Sequence, residues 1–270
     1  MSDDVVLVDV DERIALITLN RPDQRNALNR AIRRRLPVIV AELDADDGVD
    51  VMILTGADPA FSAGVDLKEF GSGAVAEAGE GFADMGERES DGRPPFRGAL
   101  PPRTKPLIGA VNGVAVTGGF EIALNCDFLV ASERARFADT HARVGVMPGW
   151  GLTVLLPQRI GVARAKEMSF TGNYVDARTA LAWGLVNHVV PHEELLPYTK
   201  QLARDIVSND QMGVRRMLAT YDEVTSTTVA EGWEIEDRVS RTWEGPGFDP
   251  ASIEARREGI LERGRDQIRG

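Results

Sequence analysis

The sequence predicts an α/β fold followed by a helical C-terminal region. Short apolar runs at 51–54, 107–111 and 128–130 have the length and composition of buried strands, and helical periodicity flanks each of them. From about residue 162 onward the chain reads almost wholly helical. Short apolar strands alternating with helices imply a mostly parallel sheet.

The elements follow in order. Apolar residues recur from 5 to 20 around the polar break Asp11-Glu12-Arg13, which reads as a hairpin. A helical stripe then begins near Asn26, through Ala27, Leu28, Ile32, Leu36, Ile39, Val40 and Leu43, and stops in the acidic stretch 44–48. Pro37 inside it either weakens the helical pattern or kinks the helix. Residues 71–103 are rich in Gly, Ala, Glu and Pro and read as a flap, either an inert insertion or a ligand-covering lid, with a short helix near 75–85. Asp176 is placed to cap a helix over 177–183, with Gly184 as its stop. Longer helices are expected over 192–208, 211–243 and 250–268. The expected division is an α/β core over 1–190 carrying the site, and a helical region over 191–270 for oligomerisation and pocket cover.

Composition excludes several function classes. With 270 residues the chain can bury a large core, but its net charge of −11 opposes sequence-independent nucleic-acid binding, which needs a basic surface. The lone cysteine, Cys126, permits no intrachain disulfide and no cysteine-based metal site, which fits a cytoplasmic protein. Residues 1–11 lack the basic start and apolar run of a signal peptide. No apolar stretch approaches the roughly 18–20 residues of a membrane-spanning helix, so no membrane association is expected. His188 and His192 stand four apart, but Pro191 lies between them and no metal is predicted. No nucleotide-binding fingerprint occurs.

Chemistry concentrates at two glycine-containing corners. One is Phe61-Ser62-Ala63-Gly64-Val65-Asp66-Leu67-Lys68; the other runs from Asn112-Gly113 to Thr117-Gly118-Gly119-Phe120-Glu121. Each follows a buried strand and leads toward a helix, whose first amides lack intrahelical partners and carry the positive end of the dipole. If the corners face each other, their N–H groups clamp a single carbonyl oxygen. Glu121 lies three residues beyond Gly118, on the same helix face. Taken alone, Glu121 also reads as a first-turn acid that complements the dipole, and the glycine pair as a tight helix–sheet crossing.

The ordered string of motifs resembles the crotonase (enoyl-CoA hydratase/isomerase) superfamily along nearly the whole chain. The matching pieces are Asn20-Arg21-Pro22, Arg25-Asn26-Ala27-Leu28, both corners, Cys126-Asp127, Phe137, Gly145, Pro148-Gly149-Trp150-Gly151, Ala180 and Trp183-Gly184-Leu185-Val186. The resemblance implies a spiral of ββα units with a C-terminal helical region, assembled as a homotrimer or a dimer of trimers. It implies that the amides of Val65 and Gly118 are the oxyanion-hole donors to an acyl-CoA thioester carbonyl. It places Arg25, Ala27, Ala63, Asp66, Leu67 and Lys68 around coenzyme A, and Gly149 in a loop bordering the reacting water. Coenzyme A is then part of the substrate, and no separate cofactor is implied.

Glu121 matches one of the two glutamates of family hydratases, the one that helps activate water. At the place of the second stands His141, with Asp139 two residues away. An imidazole exchanges protons near neutral pH, so His141 is a candidate acid/base in place of the missing carboxylate. The resemblance therefore implies hydration of a 2-enoyl-CoA by Glu121 and His141. The alternatives are a 3-enoyl-CoA isomerase, another reaction of the family, or a non-catalytic acyl-CoA-binding protein.

Overall fold

The computed structural model describes residues 4–71, 98–243 and 250–269, so the helix expected near 75–85 lies outside the described residues. Two compact units result, 1–209 and 210–270. The first unit opens with the expected hairpin, β1 (Val6–Asp11) against β2 (Ile14–Leu19). Helix α1 (Arg30–Ala45) starts four residues later than its apolar stripe. The reason is capping: the Asn29 side chain accepts the Ile32 N–H at 3.0 Å. Asn26 is instead a buried staple. Its Nδ2 donates to the carbonyls of Ala57 and Ala60, and its Oδ1 accepts the Arg21 N–H.

Three ββα units then follow: β3 (Val51–Gly56), β4 (Ala60–Ser62) and α2 (Leu67–Gly71); β5 (Leu107–Val111), β6 (Val114–Val116) and α3 (Gly118–Leu124); β7 (Phe128–Ser132), β8 (Arg136–Ala138) and α4 (His141–Val144). Helices α5 (Leu152–Ile160) and α6 (Val162–Thr171), strand β9 (Val175–Asp176), helix α7 (Ala177–Trp183), strand β10 (His188–Val190) and helix α8 (Leu195–Val207) complete the unit. The Asp176 carboxylate accepts the Thr179 N–H at 2.8 Å, and Gly184 adopts φ +80, as the cap-and-stop reading expected.

The first strand of each unit joins a six-stranded sheet ordered β1-β2-β3-β5-β7-β10, parallel from β2 onward. The second joins a smaller sheet ordered β4-β6-β8-β9. Alternation explains why the large-sheet strands read as unbroken apolar runs. Met52 and Leu54 enter the main core, whereas Val51 and Ile53 face the other side, in a cluster with Leu195 and Ala203 of α8. Helix α8 is therefore part of the first unit.

The second unit contains α9 (Gln211–Val224), α10 (Val229–Trp243) and α11 (Pro250–Arg269). The single helix expected over 211–243 is two. Thr228 Oγ accepts the Glu231 N–H while Glu231 Oε2 accepts the Thr228 N–H, and this reciprocal capping box starts a new helix.

Candidate active site

The small sheet assembles the site. Strands β4, β6 and β8 are adjacent and parallel, so their C-terminal ends deliver three corners side by side: 63–66, 117–118 and 139–141. A Cβ added to Gly118 would lie 3.5 Å from Val65 Cγ2 and 3.1 Å from the Trp150 ring. The two glycine-containing corners thus touch. Among the described residues, the N–H groups of Val65 and Gly118 have no hydrogen-bond partner.

The corners are pinned from several directions. Leu28 N–H donates to Gly64 O at 2.8 Å, Ala63 N–H to Arg25 O at 2.9 Å, and Ser62 Oγ to Asn26 O at 2.8 Å. These bonds lay the segment 25–28 along the first corner, which brings Arg25 and Ala27 beside Ala63 and Asp66. The Asp66 carboxylate accepts from Arg21 at 3.0 Å and from the Lys68 N–H at 3.2 Å. Burial works against its charge, but Arg21 and these amides hold its pKa below the ordinary carboxylate value. Arg25, Leu67, Lys68 and Gly149 are exposed. At the second corner Thr117 is held at φ +52, costly for a β-branched residue. Its N–H donates to Ala138 O at 2.9 Å and its hydroxyl meets that of Thr140 at 2.5 Å. That strain sits in the residue directly before the Gly118 amide.

Glu121 is buried, 1% exposed, and its two oxygens differ. Oε1 accepts the N–H of Trp150 at 2.8 Å and of Leu152 at 3.3 Å, which also supplies orphan amides at the start of α5 with a partner. Oε2 lies 3.4 Å from His141 Nε2, and neither atom has an aligned hydrogen bond among the described residues. On its other side the His141 ring meets Asp139, Nδ1 to Oδ1 at 2.6 Å. Burial, the largest influence on His141, disfavours its charge; the Asp139 and Glu121 carboxylates outweigh burial and raise its pKa to about 9. The two neighbouring side chains, Asp139 and Glu121, thus favour the protonated form of the His141 ring.

A folded-state pKa raised above the unfolded value of about 6.5 makes a testable difference to stability. The stabilisation is fully present below about pH 6.5 and is lost as pH rises through about 9. Urea unfolding at pH 6.5 and 9.5 should show a larger loss for the native chain than for His141→Gln. Equal losses would contradict the charged array.

The sequence singles out Glu121 and His141, which the fold brings within 3.4 Å, but not how they are held. The amides of Trp150 and Leu152, the Asp139 contact and the Asn26 staple have no signal except chain proximity, as in Asp-x-His. His188 and His192 have separate engagements, His188 with Tyr198, and His192 with Ser132 and Asp58. Burial pushes the Cys126 thiol up to about 12, so it remains protonated.

The family model described as enoyl-CoA hydratase/isomerase matches residues 9–245. The chain belongs to the enoyl-CoA hydratase/isomerase family. A probable peroxisomal enoyl-CoA hydratase 1 of Arabidopsis thaliana is 40% identical over 210 residues, covering 78% of this chain and 75% of the relative. The crotonyl-CoA hydratase of Syntrophomonas wolfei is 35% identical over 232 residues, covering 86% of both. Among solved structures, an enoyl-CoA hydratase from Mycobacterium tuberculosis superposes with TM-score 0.73 at 47% identity, over 88% of this chain and 98% of that one. The three ββα units are the crotonase-like spiral that the motifs implied. Among the described residues of this family member, no helix is long and apolar enough to cross a membrane.

Proposed function

We propose that this chain is an enoyl-CoA hydratase that adds water across C2 and C3 of a 2-enoyl-CoA thioester. The observation that carries the reading is the buried Glu121–His141 pair beside two touching corners whose amides are unpaired among the described residues. The thioester carbonyl accepts from the Val65 and Gly118 amides, and these donors stabilise the negative charge of the enolate. Glu121 removes one proton from water as its oxygen bonds to C3, and His141 delivers a proton from Nε2 to C2. Glu121 is left protonated and His141 neutral. The 3.4 Å separation between them supports return of that proton and restoration of the starting state. The chemistry is complete without a further cofactor, coenzyme A being part of the substrate.

In this reading Arg25 and Lys68, exposed at the rim, meet the phosphates of coenzyme A. Ala27, Ala63 and Leu67 border the thioester arm. Asp66 supports that wall through Arg21, and the Gly149 loop borders the water through its neighbour Trp150. The single cysteine, buried and unpaired in any disulfide, fits a cytoplasmic enzyme, and the motif resemblance to the crotonase superfamily suggests assembly as a homotrimer or a dimer of trimers.

The test is to mix the protein with crotonyl-CoA and follow the enoyl absorbance. Loss of absorbance with formation of the 3-hydroxyacyl thioester is expected; tight binding without an absorbance change would sink the enzyme reading in favour of a binding protein. His141→Ala should lower kcat on the order of 10²-fold or more. Unchanged turnover in that variant would remove His141 from proton transfer.

A further inference from the structure

Asp139 occupies none of the places to which the family resemblance assigns a role, yet its carboxylate is as buried as the imidazole it meets, each side chain being 2% exposed. One oxygen, Oδ1, accepts both from His141 Nδ1 at 2.6 Å and from the His141 backbone N–H at 3.1 Å. The Ser169 side chain of α6 also favours the charged form of this carboxylate. Burial alone favours a neutral carboxyl, but these bonds hold the Asp139 pKa below its ordinary value, so the group is an anion.

An imidazole has two nitrogens, and the hydrogen bond made by one decides what the other presents. With Nδ1–H committed to Asp139, Nε2 is the nitrogen turned toward Glu121 Oε2. A ring flipped about its Cβ–Cγ bond would present carbon there and break the 2.6 Å bond. We propose that Asp139 is the positioning residue of the hydration reaction, fixing the His141 ring so that Nε2 faces Glu121 and the reacting carbons. This rests on the hydratase reading above. Asp139 acts only through His141 and does not touch substrate.

The charged groups that act on the imidazole are Asp139, from the β8–α4 connection, and Glu121, from α3. Helix α6, packed against α4, contributes the neutral Ser169 hydroxyl through Asp139, and the β6–α3 corner contributes the hydroxyl of Thr117 through Thr140. Removing the Asp139 anion therefore leaves Glu121 as the principal charge that favours the imidazolium, and His141 gives up its proton at lower pH.

The experiment compares the whole native chain with Asp139→Asn in the hydration of crotonyl-CoA across pH. It also titrates the His141 ring by NMR, a readout that needs no turnover. Hydration uses protonated His141, so kcat/KM for the native chain should fall as pH rises through about 9. In Asp139→Asn that limb and the ring titration should both move down by about one pH unit or more. Its kcat at neutral pH should fall on the order of 10²-fold, with KM within about threefold. A folded Asp139→Asn protein with the native pH profile, ring titration and kcat would overturn the proposal. If Asp139→Asn does not fold, Ser169→Ala, which removes a hydroxyl that favours the Asp139 anion, should move both readouts less but in the same direction. No movement there would overturn it too. If the native chain does not hydrate crotonyl-CoA, the hydratase reading falls and the proposal with it, while the ring titration still reports whether Asp139 holds the proton of His141.

Discussion

Replacing Glu121 by Gln is expected to lower kcat for hydration on the order of 10³-fold while leaving the fold intact. Gln keeps a carbonyl oxygen where Glu121 Oε1 accepts the amides of Trp150 and Leu152, so the start of α5 stays partnered. What it lacks is a base. It presents no carboxylate oxygen toward His141 Nε2, and it cannot take a proton from water as C3 is attacked. Thermal unfolding should show a folded protein, and steady-state kinetics should show the loss in kcat with KM little changed. A variant within about tenfold of native kcat would show that Glu121 only caps α5.

Gly119→Ala should also be damaging, by a different route. An added Cβ would stand 2.6 Å from both the Ser62 carbonyl oxygen and Ser62 Cβ. The obstacle is the backbone oxygen and the Cβ fixed to that backbone, on the strand that feeds the first corner, so it cannot swing aside as the end of a long side chain does. Relief requires α3 and β4 to move apart, at a cost of about 1–3 kcal/mol by the usual penalty for overpacking. The same movement separates the amides of Val65 and Gly118, and a shift approaching 1 Å in a positioned site costs on the order of 10²-fold in rate. Urea unfolding and crotonyl-CoA kinetics measure the two effects together. Native stability and native kcat in this variant would mean that the corners are not coupled through this contact. By contrast, a Cβ on Gly259 in α11 would meet nothing within 4 Å, and Gly259→Ala should be tolerated, with a small gain from helix propensity.

Much of the fold was legible because it is written in local rules. The strands at 51, 107 and 128 are apolar on both faces because both are covered, and α1 carries its stripe of Ile32, Leu36, Ile39, Val40 and Leu43. The Asp176 cap and the Gly184 stop are properties of single residues. The small sheet was not legible. Strands β4, β6, β8 and β9 are two or three residues long, too short for alternation to register. The break before α10 was missed although Thr228-x-x-Glu231 is a capping box, because the apolar pattern on either side continues.

The candidate site divides along the same line. By itself the sequence determined the chemical inventory: a glutamate one turn into a helix that opens with glycine, a histidine where a second carboxylate was expected, and small residues at two turns. Tertiary structure alone decided their relations. The order β4-β6-β8 set three corners beside one another, the start of α5 claimed one oxygen of Glu121, and His141 came to lie 3.4 Å from the other. The physical reason is range. Caps and periodicity act over a few residues, whereas the partners of Glu121 lie 20 to 31 positions away and meet it only after distant strands pair.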